Sequence, residues 1–101
     1  MSVLCEVMVK QIIPAVRVNV TKQLYSKYHF NQEYIAEKLG ITQAAVSKYL
    51  SGKYTQEIKK LERDKIVKKI SDDVIRAIIK KTFNRSSFER TVCKYCAEML
   101  R

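Results

Sequence analysis

The chain has 101 residues, with 20 Lys and Arg against 10 Asp and Glu, so its formal net charge is +10. That length supports one domain, because two separate cores would each bury too little surface. Two glycines and one proline are too few for the regular turns of a β-sandwich or barrel, and no Gly-rich phosphate loop occurs. A strong positive charge attracts polyanions, so nucleic acid is the first expected partner and an anionic membrane surface the second.

The membrane alternative is weak. No apolar run approaches the roughly 18 residues needed to span a bilayer. Three cysteines, an odd number, do not form a closed set of disulfides and fit a reducing compartment better. We therefore expect a cytoplasmic protein with no membrane partner.

Apolar residues recur at helical spacing through most of the chain and predict an all-α helical bundle. Pro14 is expected to interrupt the first helix after Ile13, either by kinking it or by standing in the first turn of a new helix. Ser71 is expected to cap a separate helix, and Ser86 with Glu89 forms a capping box that opens the last one, which ends near Leu100. The predicted helices before Ser71 are residues 2–13, 15–28 with the apolar stripe Val16, Val20, Leu24 and Tyr28, 31–39 capped by Asn31, 42–50 capped by Thr42, and 55–70 capped by Thr55.

Residues 32 to 52 carry the most specific pattern. Two short helices that cross closely need a small residue at the crossing and a glycine in the turn, which Ala36 and Gly40 supply. The apolar residues expected between the two helices are Ile35, Leu39, Ile41, Val46 and either Tyr49 or Leu50. The spacing therefore predicts a helix-turn-helix.

These residues resemble the helix-turn-helix of the Cro and phage cI repressors, also called the XRE family. The resemblance rests on Gln32-Glu33, the spacing from Ala36 to Gly40, Thr42-Gln43, Val46 and Ser51-Gly52. It implies a lambda-repressor-like core over residues 15–70 of a single domain 1–101. It also implies a transcriptional regulator that binds double-stranded DNA as a homodimer. The chain is similar as well to short archaeal regulators that combine an N-terminal Cys-Glu-Val stretch with such a motif and a C-terminal C-x-x-C.

The second helix of the motif is expected to enter the major groove. The amide of Gln43 can donate and accept a hydrogen bond at once, which matches adenine N6 and N7. The resemblance implies that Gln32 contacts phosphate and braces Gln43. The other expected contacts are the helix cap, the outer face of the helix and two residues just beyond it: Thr42, Ala44, Ser47, Lys48, Lys53 and Tyr54.

The segments outside this core, residues 2–13 and 72–100, are expected to form extra N- and C-terminal helices. Their apolar residues can pack onto the core or onto a second chain in a dimer. Those in the C-terminal segment include Val74, Ile78, Phe83, Phe88, Val92, Tyr95 and Met99.

A basic cluster follows the motif and allows two interpretations. Its members are Lys59, Lys60, Lys65, Lys68 and Lys69. The cluster can follow a nucleic-acid backbone, or it can be a solvated helix face whose lysines pair with Glu57, Glu62 and Asp64 at i to i+4 spacing. The interleaved acidic residues favour the second interpretation.

The three cysteines also leave alternatives open. Cys5, Cys93 and Cys96 can together hold zinc or an iron–sulfur cluster, or all three can lie inert in an apolar core. Alternatively, Cys5 can form a structural or redox-active disulfide with Cys93 or Cys96. Because the chain has one His and no paired nucleophile and base, no enzyme is expected. The sequence thus predicts a DNA-binding regulator. The alternatives are a regulator whose thiols sense a metal, a cluster or redox state, and a non-specific architectural DNA- or RNA-binding protein.

Overall fold

The computed structural model of the chain describes residues 3–84, 88, 92 and 94, with side chains from residue 10 onward. This part of the chain contains five helices: α1 (Val3–Ser26), α2 (Gln32–Leu39), α3 (Gln43–Leu50), α4 (Gln56–Leu61) and α5 (Lys65–Ile79). No strand occurs among these residues, and the all-α prediction is confirmed. Within the same residues, no helix is both long and apolar enough to cross a bilayer.

Helix α1 is the centre of the bundle, and each of the other four helices packs against it. Val16, Val20 and Leu24 of its predicted stripe are fully buried. Tyr28, predicted to continue the stripe, is 45 % exposed. The helix ends at Ser26, and the chain turns sharply before Tyr28 completes another turn.

The predicted start of a new helix at Pro14 is wrong, because α1 continues through the proline. Proline removes one backbone hydrogen bond and crowds the preceding turn, which costs about 3 kcal/mol in a helix interior. Ile12, Ala15 and Val16 flank the proline and are at most 1 % exposed. Their burial holds both sides of the helix in place and outweighs the local cost.

The predicted helix start at Ser71 is also wrong. Ser71 lies inside α5, where its buried hydroxyl donates a 2.7 Å hydrogen bond to the carbonyl of Val67. The chain breaks earlier, after Leu61, and Asp64 caps α5 by accepting a 2.8 Å hydrogen bond from the amide of Ile66. A serine that bonds to the carbonyl four residues back belongs to a helix interior, and local sequence does not distinguish this use from capping.

Most described apolar residues of the C-terminal segment pack onto the core of their own chain, whereas Ile79 is 44 % exposed. Val74, Ile78, Phe88 and Val92 are at most 7 % exposed, and Phe83 packs against them. These side chains are therefore occupied within one protomer. The predicted capping box Ser86 and Glu89, together with Tyr95 and Met99, lies outside the described residues.

Candidate nucleic-acid interface

The corner between α2 and α3 has the predicted helix-turn-helix geometry. Asn31 caps α2 by accepting a 2.8 Å hydrogen bond from the amide of Tyr34. Gly40 ends α2 in the left-handed region with φ 67°, and its amide donates to the carbonyls of Ala36 and Glu37. Ile41 donates a 3.0 Å bond to Ala36 as well. These bonds close the helix end in the manner that a glycine at this position allows.

The apolar contacts of the motif lie where the spacing predicted them. Ile35, Leu39 and Val46 are at most 3 % exposed, and Ile41 and Leu50 pack against the same core. The helix crossing at Ala36 is buried as well. Tyr49 is half-buried, with its ring edge-on to Tyr54 at 6.4 Å between centroids. Leu50 therefore supplies the last contact of the apolar wedge.

Helix α3 presents a polar outer face. Val46 is its one buried residue, whereas Gln43, Ala44, Ser47 and Lys48 are exposed. The cap residue Thr42 accepts a 3.1 Å hydrogen bond from the amide of Ala45. The predicted contact residues on α3 thus share one solvent-facing side of a capped, one-sided helix.

The structure brings the two predicted glutamines together. Gln32, from the start of α2, and Gln43, from the start of α3, line one cleft of about 440 Å³. Asn31, Glu33 and Tyr25 complete the lining. Tyr25 was missed at the sequence level, although it is 46 % exposed beside Gln43. Tyr25 directly follows the buried stripe residue Leu24. Because successive residues of a helix lie on different faces, this position could have predicted an exposed side chain for Tyr25.

Lys53 and Tyr54, predicted to follow the motif as backbone contacts, have different environments. Lys53 is exposed. Tyr54 is half-buried, its hydroxyl accepting a 2.7 Å hydrogen bond from Lys22 Nζ and donating a 2.7 Å bond to Glu62 Oε1. Lys22 Nζ also lies 3.0 Å from Glu62 Oε2. We call Lys22, Tyr54 and Glu62 the tyrosine network.

The tyrosine network connects α1 to the segment that follows the recognition motif. Asn19 adds a 3.0 Å bond from its side-chain amide to the carbonyl of Glu62. The hydrogen bond from Lys22 to Tyr54, supported by Glu62, raises the pKa of Lys22 above its ordinary value of 10.5. Burial, together with the bond to Glu62, raises the pKa of Tyr54 above 10.0. Lys22 and Glu62 are separated by 40 residues in the sequence, so no local pattern could pair them.

The basic cluster does not form the ion pairs that its sequence favoured. Lys59 lies over the ring of Tyr54 at 5.6 Å from the centroid. The other four lysines, Lys60, Lys65, Lys68 and Lys69, are exposed, and none forms an ion pair with a residue that the structure describes. Two of the expected acidic partners act elsewhere, Glu62 in the tyrosine network and Asp64 as the cap of α5.

The cysteines cannot be assigned from the described part of the chain. The backbone of Cys5 lies in α1, whereas its side chain, Cys93 and Cys96 lie outside the described residues. Among the residues that are described, no group of three His, Cys, Asp or Glu side chains is arranged to hold a metal ion. The zinc, iron–sulfur and disulfide alternatives therefore stay predictions.

Comparison with known families supports the geometry. Residues 22–63 match a helix-turn-helix family model, which covers the end of α1, the whole of α2 to α4 and the first residues after α4. The chain thus contains a helix-turn-helix, and the match supports the predicted XRE-type DNA-binding regulator. No curated protein matches the chain. No solved structure matches it either.

Proposed function

We propose that this protein is a sequence-specific, double-stranded DNA-binding transcriptional regulator that places α3 in the major groove. The observation that carries the proposal is the one-sided character of α3. Val46 anchors the helix in the core, and Gln43 and Ser47 stand on the exposed side of the second helix of the matched helix-turn-helix. A helix of this kind fits the major groove with its N-terminal residues against the base edges.

The charge distribution supports a division between specificity and attraction. Residues 31 to 54 contain three lysines and two glutamates, so the recognition segment is nearly neutral although the chain is +10. Specificity then depends on uncharged groups, Gln43 above all. The excess positive charge on the flanking helices attracts the duplex and contacts its phosphates.

A homodimer is part of the proposal, because one helix-turn-helix reads only a few base pairs. Two copies on half-sites about 34 Å apart double the sequence that is read. Most described apolar residues of the predicted flanking segments, including Ile12 and Val74, are buried within their own chain, whereas Ile79 is 44 % exposed. The dimer contact is therefore expected at exposed positions. The regulator is expected to act in the cytoplasm.

The test begins with selection of duplexes from a random pool, followed by competition binding at fixed salt. We expect a preferred site bound about 10³-fold or more tightly than random DNA. For about six neutralised phosphates, the slope of log affinity against log salt should be near −5. A specificity ratio near one would identify an architectural protein instead.

Gln43→Ala should selectively weaken binding to the preferred site, by about 1–3 kcal/mol, because it removes the hydrogen bonds that read a base. Gln11→Ala, at an exposed glutamine on the N-terminal half of α1, is the matched control and should leave binding unchanged. Lys53→Ala should weaken binding to all sequences alike and reduce the salt slope by about 1. Equal losses on every sequence for Gln43→Ala would reject its role in base recognition.

A further inference from the structure

We propose that Lys65, Lys68 and Lys69, here called the α5 lysine cluster, form a second phosphate-binding surface for the same duplex that α3 reads. The proposal rests on the DNA-binding function above and adds a contact outside the helix-turn-helix. Its occupant is the sugar–phosphate backbone beside the site that α3 occupies.

The three lysines share one side of α5. They stand at i, i+3 and i+4, a spacing that places side chains on neighbouring turns about 5–6 Å apart. All three are exposed, whereas Val67, Ile70 and Ser71 between and beside them are buried. The buried residues hold the helix against the core, and the lysines point away from it.

This arrangement places three like charges in the first half of α5. Like charges at i, i+3 and i, i+4 repel each other, and cations near a helix N-terminus oppose the helix dipole. The first turn of α5 contains no acidic residue that would compensate. Asp64 caps the helix by accepting a hydrogen bond from the Ile66 amide, and it forms no ion pair with the cluster among the described residues. Binding of a polyanion would offset the repulsion among these lysines.

The fold connects the cluster to the recognition motif through anchored structure. Between α3 and α5, Tyr54 and Glu62 are held to Lys22 of α1 by bonds of 2.7–3.0 Å. The chain therefore reaches α5 by a fixed path. The whole Cα trace extends 37 Å along its longest axis, comparable with one helical turn of duplex DNA, which is about 34 Å. The proposal places the α5 lysine cluster within one turn of the duplex that α3 reads.

The experiment compares three triple variants on the duplex selected for the wild-type protein, between 50 and 300 mM KCl. K65Q/K68Q/K69Q removes the cluster, and K65R/K68R/K69R keeps its charge. K10Q/K80Q/K81Q is the matched control, because it removes the same charge from three exposed lysines at other positions.

We expect K65Q/K68Q/K69Q to lower the affinity about tenfold or more at 100 mM salt and to make the salt slope shallower by about 2 to 3. The control should change the slope by less than 1, and the arginine variant should keep the wild-type slope. Hydroxyl-radical footprints of the glutamine variant should lose protected phosphates at the edge of the site while its preferred sequence is retained. The midpoint of its thermal unfolding should equal or exceed that of the wild type, because like-charge repulsion is removed.

Equal slopes for K65Q/K68Q/K69Q and the control would overturn the proposal. So would an unchanged DNA slope combined with lost binding to phosphatidylserine vesicles, which would assign the cluster to a membrane surface. Failure of the proposed function has a different signature, because the wild-type protein itself would then show no preferred duplex.

Discussion

Helices α3 and α5 lie in the same bundle and differ in how many of their residues are buried. Helix α3 buries one residue, Val46, and exposes nearly all its polar side. Helix α5 buries six residues and packs along α1. A helix that carries much of the core is fixed by its own apolar face, whereas α3 is placed by its cap, the turn at Gly40 and its neighbours. Stability and recognition are therefore expected to respond to different substitutions.

The largest expected effect separates the two roles. Ile70→Ala removes a fully buried side chain from the core and should lower the free energy of unfolding by about 2–5 kcal/mol. Urea denaturation measures this loss, and DNA affinity measured at a low temperature where the variant is folded should change less than twofold. Ile79→Ala, at a 44 % exposed position of the same helix, is the control and should cost less than about 1 kcal/mol. A large loss of affinity in folded Ile70→Ala would contradict the separation.

Gly40→Ala is expected to affect both properties, because Gly40 places α3. Its φ of 67° lies in the left-handed region, where a β-carbon costs about 1–2 kcal/mol. Denaturation should show that loss, and DNA affinity should fall in the folded variant as the corner shifts. Gly40→Asn is the matched control with a smaller expected cost, since asparagine tolerates this conformation better than alanine. Equal costs for alanine and asparagine would argue against a backbone origin of the effect.

The tyrosine network gives the smallest expected effect. Tyr54→Phe removes the hydroxyl that joins Lys22 to Glu62 and should cost about 0.5–1.5 kcal/mol at neutral pH, measured by urea denaturation. The direct ion pair between Lys22 and Glu62 remains in the variant. Tyr28→Phe, at an exposed ring, is the control and should leave stability unchanged. If Tyr28→Phe lowered stability as much as Tyr54→Phe, the loss in Tyr54→Phe could not be attributed to the tyrosine network.

The same network predicts a pH dependence. The pKa values of Lys22 and Tyr54 are both raised in the folded state, so both groups hold their protons more tightly there than in the unfolded chain. Their contribution to stability is present below about pH 10 and is lost as the pH rises through the raised values. The free energy of unfolding should therefore fall more steeply above pH 10 for the wild type than for Tyr54→Phe. Parallel curves would contradict this linkage.

Local signals in the sequence predicted the helix-turn-helix with little error. The caps Asn31, Thr42 and Thr55 and the turn at Gly40 each act within four residues, and each lies where it was expected. The buried residues Ile35, Leu39 and Val46 followed from helical spacing alone. Such features depend on neighbouring residues, so the sequence contains the information needed to place them.

The errors arose where distant contacts outweigh a local preference. Pro14 was expected to break a helix, and Ser71 was expected to start one, but burial of their neighbours keeps both inside longer helices. The hydrogen bonds of Tyr54 with Lys22 and Glu62 were not predicted, because they join distant parts of the sequence. The contact of Tyr54 with the DNA backbone stays a prediction.

The sequence by itself determined that the chain is all-α, strongly basic and built around a helix-turn-helix, and that residues 31–54 are nearly neutral. Only the tertiary structure decided whether the lysines of the basic cluster form ion pairs, because ion pairs depend on which helices lie next to each other. Glu62 pairs with Lys22 on α1, and Asp64 caps α5, so Lys65, Lys68 and Lys69 have no ion pair with a described residue. Composition fixes how much charge a chain carries, whereas packing decides where that charge stays available to a partner.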